Sequence, residues 1–224
     1  MMTVEVARPP RAFEDPLPRE PLRLVSSWLE EARASATLRN PDAMALATVD
    51  AAGAPHVRMV LCRGFDPERG TLRFYTNRES PKGAQLEASG RAEVAFYWDA
   101  LGRQLRVGGP VERTSDADSD AYFARRHPQS QISAWASAQS QPLASREDLF
   151  AQHEAFSRRF GAPDGGEGSE PIPRPPHWGG YVLTAERIEF WIEGEARMHE
   201  RAVFTREIAA GQGAAPWRSA RLQP

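Results

Sequence analysis

The chain has 224 residues, 41% of them hydrophobic and 26% charged, with a formal net charge of −2. That is the composition of a globular protein of one large domain, and its balance of charge excludes a general attraction to nucleic acid or to an anionic membrane surface. A single cysteine, Cys62, excludes an intrachain disulfide, and with no signal-peptide pattern or membrane-spanning apolar run the expected location is a reducing cytoplasm.

Residues 1–20 hold several prolines and little apolar periodicity, so they read as a flexible arm ahead of one domain spanning 21–224. From Pro21, the positions Leu22, Val25, Leu29 and Ala32, with Trp28 beside them, recur at helical spacing and predict an amphipathic helix. The period then changes. Ala43–Val49, Val57–Arg63, Leu72–Asn77, Ala92–Trp98 and Gln104–Val111 are short β-rich runs, separated by turn signals such as Asp50-Ala51-Ala52-Gly53. Cys62, inside one of these runs, reads as a packed thiol. Between the third and fourth runs, Ser80-Pro81 has the form of an N-cap serine with proline at the first helical position. Helices are expected over Ser115–Arg125 and Ser145–Phe160, then a Gly/Pro-rich loop over Gly161–Pro176. Strands are expected at Gly180–Thr184, Arg187–Ile192 and Arg197–Thr205. Such spacing predicts a mainly β protein with flanking helices, an antiparallel barrel or sandwich; its plainest form is a monomeric six-stranded barrel.

The run Glu189-Phe190-Trp191-Ile192-Glu193-Gly194-Glu195-Ala196-Arg197-Met198-His199-Glu200-Arg201 puts Arg197, His199 and Arg201 at alternate positions of the last expected strand, so the three share one face. Alone, the run is more plainly a solvated strand edge, whose charges discourage aggregation. Two further segments count against that reading: Val57-Arg58-Met59-Val60-Leu61-Cys62-Arg63, and Ala121–Trp135 with its Tyr122-Phe123-Ala124-Arg125-Arg126-His127-Pro128 core. Together the three segments resemble the pyridoxine (pyridoxamine) 5′-phosphate oxidase family, in order and approximate spacing, from about Pro21 to Pro224.

The resemblance implies an FMN-binding split barrel, paired as a homodimer with active sites at the interface. It also implies oxidation of pyridoxamine or pyridoxine 5′-phosphate to pyridoxal 5′-phosphate, with molecular oxygen as acceptor and hydrogen peroxide as product. Residues matching the family's flavin positions are Arg58, Met59, Val60, Leu61, Tyr75, Thr76, Lys82, Gln104, Gln139, Ser140, Trp191 and Arg201. Those matching its substrate positions are Arg63, Tyr122, Arg126 and Ser130, with Arg197 and His199 facing the substrate ring as the catalytic pair. No metal is implied. The chemistry suits these residue types, because a phosphate dianion calls for fixed arginine, lysine and hydroxyl donors, and a helix N-terminus such as that at Lys82 adds free N–H groups. The chain departs from the pattern at Arg63, where the family usually has lysine, and at Pro81, where it usually has arginine. It also lacks an arginine–tyrosine pair in the N-terminal arm. Two alternatives stay open: an oxidase of phenazine-type metabolism, and a non-catalytic flavin- or pyridoxal-phosphate-binding protein.

Overall fold

A computed structural model describes residues 12–161, 171–208 and 214–224. Helix α1 (Pro21–Ala34) opens the domain and buries Leu22, Val25, Trp28, Leu29 and Ala32, the stripe its periodicity predicts. Strands β1 (Ala43–Val49), β2 (Pro55–Leu61), β3 (Gly64–Asp66) and β4 (Thr71–Asn77) follow. Helix α2 (Pro81–Ser89) then leads into β5 (Arg91–Trp98) and β6 (Arg103–Arg113). Three helices come next: α3 (Asp116–Ala124), α4 (Pro128–Ala136) and α5 (Arg146–Phe160). The chain ends in β7 (Trp178–Thr184), β8 (Arg187–Ile192), β9 (Glu200–Thr205) and β10 (Arg218–Leu222).

All strand pairs are antiparallel, and the main path runs β10-β9-β8-β6-β5-β1-β2, with β3, β4 and β7 branching from it. Strand β6 belongs to both arms: Arg103–Gly108 pairs with β8, while Val111–Arg113 pairs with β7. The bend falls at Gly108-Gly109-Pro110, where a side chain on Gly109 would lie 2.0 Å from the Thr184 carbonyl. Only glycine allows that approach. The curled sheet closes around Met44, Leu46, Phe74, Phe96, Leu105, Phe190 and Phe204, all fully buried, each contributing on the order of 1.5–3 kcal/mol by transfer from water. Cys62 is buried with them, and burial pushes its thiol pKa up, as expected of a packed cysteine.

Among the described residues the sheet thus has ten strands, where the runs predicted eight and the plainest barrel six; the two without a predicted run are β3 and β10, whose short sequences carry no alternating apolar pattern. Residues 1–11 of the expected arm and 162–170 of the expected loop lie outside the described residues. Of the remainder of the arm, Phe13 stacks on Trp28 at 6.4 Å and meets Phe190 edge-on, and the carbonyls of Phe13 and Glu14 accept from Arg221.

Candidate functional site

A cavity of about 620 Å³ opens between β2, β4, the N-terminus of α2, α3 and α4. Its first corner holds two cations. Arg58 sits on the edge strand β2 opposite Leu46, and its guanidinium donates to Thr48 Oγ1 at 2.5 Å and to Gln85 Oε1 at 3.0 Å. Lys82 lies in the first turn of α2, where Ser80 caps the helix by accepting from the Gly83 N–H. Its Nζ donates to Gln139 Oε1 at 2.6 Å, and Thr76 Oγ1 donates to the same oxygen at 3.1 Å. Burial, and then the charge of Arg58, lower the Lys82 pKa; burial lowers that of Arg58. An anion placed here would relieve both. Ser140 beside Gln139 adopts φ 69°, a left-handed conformation costly for serine. Met59, Val60 and Leu61 supply the apolar rim.

The opposite corner is aromatic and basic. Tyr75 lies flat against Tyr122, with ring centroids 4.0 Å apart and 6° between planes, and against Trp178 at 5.3 Å. The Arg126 guanidinium packs 4.8 Å from the Trp178 centroid, a cation–π contact worth about 0.5–2 kcal/mol. Its Nη1 is buried without a hydrogen-bond partner, and burial lowers its pKa. An orphaned buried donor costs roughly 1–3 kcal/mol, so this atom calls for an acceptor. Arg63 lines the same cavity. Tyr122 and Arg126 therefore meet at the cavity as their spacing implied, although Arg126 follows the helix end rather than lying on it.

Sequence reasoning missed Trp178. Its signal was available as a tryptophan directly before Gly179-Gly180 at a strand start, yet nothing in that pattern tells a core tryptophan from one that supports an arginine. His127-Pro128 stands between α3 and Ser130. It is the start of α4: His127 Nδ1 accepts from the Gln129 N–H and Pro128 takes the first helical position. Ser130 falls in that first turn, half-buried, and does not line the cavity.

The other expected residues stand elsewhere. Gln104, Trp191 and Arg201 form a row across β6, β8 and β9, continuing from Tyr97 on β5. This row lies on the outward face of the sheet, the same face as Val57, Met59 and Leu61 of β2, by the register β2–β1–β5–β6. Its part on β2 and at Tyr97 is apolar and exposed: Val57 is 69% accessible, Met59 64% and Tyr97 62%. Arg201 is held by the buried Glu189 beside it on the same face, whose Oε1 accepts from Nε at 3.1 Å and Nη2 at 2.6 Å.

Arg197, His199 and Arg201 do not share one strand face, because β9 begins only at Glu200. Glu195–Arg197 is a 3-10 turn with φ 51° at Ala196 and 65° at Arg197, so alternation cannot run through it. His199 still reaches Trp191, its ring centroid 4.6 Å from the indole, while Arg197 is exposed.

Comparison with known proteins adds to this geometry. A family model for pyridoxamine 5′-phosphate oxidase matches residues 30–154, and one for the C-terminal dimerisation region of pyridoxine 5′-phosphate oxidase matches residues 178–224. A Rubrobacter xylanophilus protein named pyridoxine/pyridoxamine 5′-phosphate oxidase is 48% identical over 211 residues, covering 94% of this chain and 90% of its own. One of the same name from Azorhizobium caulinodans is 47% identical, covering 92% and 90%. Among solved structures, PhzG from Burkholderia lata in complex with tetrahydrophenazine-1-carboxylic acid superposes with a TM-score of 0.80 at 31% identity, covering 94% of this chain and 95% of its own. A pyridoxamine 5′-phosphate oxidase-related, FMN-binding protein of Nostoc punctiforme shares the fold, with a TM-score of 0.65 at 20% identity over 90% of this chain and 96% of its own.

Proposed function

The chain belongs to the pyridoxamine 5′-phosphate oxidase family, and from that premise we propose that it oxidises pyridoxamine or pyridoxine 5′-phosphate to pyridoxal 5′-phosphate, with FMN as cofactor, molecular oxygen as acceptor and hydrogen peroxide as product. The observation that carries the reading is that one cavity holds two separate cationic corners, Arg58 with Lys82 and Arg63 with Arg126. Two phosphate-bearing molecules lying side by side need two such corners. The residues present fit a flavin phosphate: Lys82, Thr76 and Arg58 are donors beside the positive end of α2, where Pro81 brings none and the Gly83 N–H is taken by Ser80. When bound, flavin supplies the two-electron acceptor that no side chain here can.

The chain's own residues then bind and orient. Arg126, with its open Nη1, and Arg63 hold the substrate phosphate, and the Tyr75–Tyr122–Trp178 stack fixes the wall behind them. Anchoring a substrate at its far end lowers the entropic barrier at the reacting carbon, by on the order of 7 kcal/mol when alignment is good. Arg197 and His199 orient the ring and stabilise its charge. They, like Gln104, Trp191 and Arg201, stand outside the cavity formed by their own chain. We therefore assign them to the cavity of a second copy, joined through the exposed face of Val57, Met59 and Tyr97. The match of residues 178–224 to a dimerisation region supports that assignment.

The likeness to PhzG supports a second reading, oxidation of a tricyclic carboxylic acid. Such a substrate offers no phosphate to the corner at Arg63 and Arg126, which favours the vitamer. Protein supplied with FMN and assayed for oxygen-dependent formation of pyridoxal phosphate decides the matter. Saturable turnover, lowered about 100-fold or more in Arg197→Ala with flavin content retained, is the expected result. Bound flavin without turnover of either vitamer would refute it and leave the PhzG-like substrate or a binding protein.

A further inference from the structure

The turn that interrupts the expected last strand also fixes a nitrogen of His199, and the inference drawn from it rests on the functional reading above. Gly194 lies against the backbone of Met198, where a Cβ would come within 1.8 Å of the carbonyl oxygen, so no other residue fits there. With Ala196 and Arg197 in the left-handed region, the chain folds back so that the Gly194 N–H donates to His199 Nδ1 at 3.2 Å. A backbone amide can only donate, so Nδ1 must accept, and the neutral ring carries its proton on Nε2. Contact with Trp191, at 4.6 Å and a 41° tilt, holds the plane of the ring.

We propose that His199 acts as a fixed hydrogen-bond donor, offering Nε2–H to an electron-rich atom of the substrate ring, and that Gly194 is the positioning residue that sets this tautomer. The one lone pair of the neutral imidazole is already engaged by Gly194. His199 therefore has no free site to take a proton from the substrate unless the turn opens, and general-base catalysis by this ring is excluded in the folded turn. Its contribution is to hold the substrate ring in one orientation through that hydrogen bond, with its direction determined before substrate arrives.

Two measurements test the assignment. In the FMN-loaded protein, a two-bond proton–nitrogen correlation spectrum of the imidazole at neutral pH should show Nε2 protonated and Nδ1 bare. A protonated Nδ1 in the neutral ring, or a tautomeric mixture, would overturn it. Independently, His199→Gln places an amide NH2 near the Nε2 position and His199→Asn near the Nδ1 position. His199→Gln should keep kcat within about tenfold of the parent, and His199→Asn should lose on the order of 100-fold, both with parental flavin content and melting temperature. Equal loss in the two, or better activity in His199→Asn, refutes a donor role. If the parent itself turns over neither vitamer, the functional reading falls and the donor role with it. If the parent turns over and the spectrum shows Nδ1–H, only the present inference falls.

Discussion

Around the cavity, residues from β2, β4 and α2 and from beyond α3 and α4 converge within one chain, and the Arg58 and Lys82 donors are already held by neighbours: Arg58 by Thr48 and Gln85, Lys82 by Ser80 and Gln139. Gln104, Trp191 and Arg201 instead stand in a straight row on a sheet face that their own chain leaves open. The first group lines one cavity within a single chain. The second is a half-buried row, as fixed as the first because Glu189 holds Arg201 and His199 packs on Trp191. That row continues into Tyr97, and across the same sheet face lie Met59 and Val57, all exposed in the single chain.

The comparison breaks most sharply if the open face is spoiled without touching the cavity. Val57→Asp adds a charge to a side chain that is 69% exposed in the single chain, so a monomer should tolerate it. Loss of the dimer by ultracentrifugation together with a fall in turnover of about 1,000-fold is expected if both halves are needed; a monomer that keeps full turnover would show that the row has no part in the site. Within the cavity, Arg126→Ala removes charge-assisted bonds worth roughly 1.5–3 kcal/mol. It should raise KM for the vitamer phosphate by about 10–100-fold with little change in flavin affinity. An unchanged KM would move the substrate corner elsewhere.

A smaller effect separates the two corners. Lys82→Met should weaken FMN about tenfold by fluorescence titration, and should also change the pH response. The Lys82 pKa is lowered by burial and by Arg58, while a phosphate dianion favours the protonated form, so binding takes up a proton wherever the free lysine is neutral. Affinity in the parent should therefore fall as pH rises through that lowered value towards the ordinary lysine range, and Lys82→Met should lose this dependence. The smallest effect is at Thr48→Val. It removes the hydroxyl that accepts from Arg58 and should cost about 1 kcal/mol of stability in chemical denaturation, with a few-fold weaker flavin binding. A stability loss with unaltered flavin binding would separate Thr48 from the ligand and leave it a core residue.

How much of this was legible in the sequence follows the same division. Strands β1 and β8 were read to the residue, and α1 with its buried stripe, because alternation and helical spacing are set by burial, which composition records directly. Arg58, Thr76 and Lys82, all on regular elements, line one cavity. What escaped depended on contacts distant in sequence or on backbone conformation. Trp178 supports Arg126 only because β7 pairs with β4, and the turn at 194–197 exists because Gly194 packs on Met198. That turn is why Arg197 and His199 left the strand on which alternation had put them. Pairing between copies is beyond any pattern within one chain. The alternating apolar residues of β2 predicted a strand but gave no sign that Val57 and Met59 face outward.

Strand β6 passes through both arms of the sheet, bearing Gln104 near one end and pairing with β7, the strand that begins at Trp178, at the other. The two regions are therefore tied by one strand, which bends at Gly108-Gly109-Pro110 between them. Slow collective motions that admit or release a ligand must arise in the helices and loops at the cavity mouth, because flexing the sheet would break hydrogen bonds on two strands at once. The bend in β6 therefore sets how the cavity and the row are spaced, and the helices and loops at the cavity mouth set access to it.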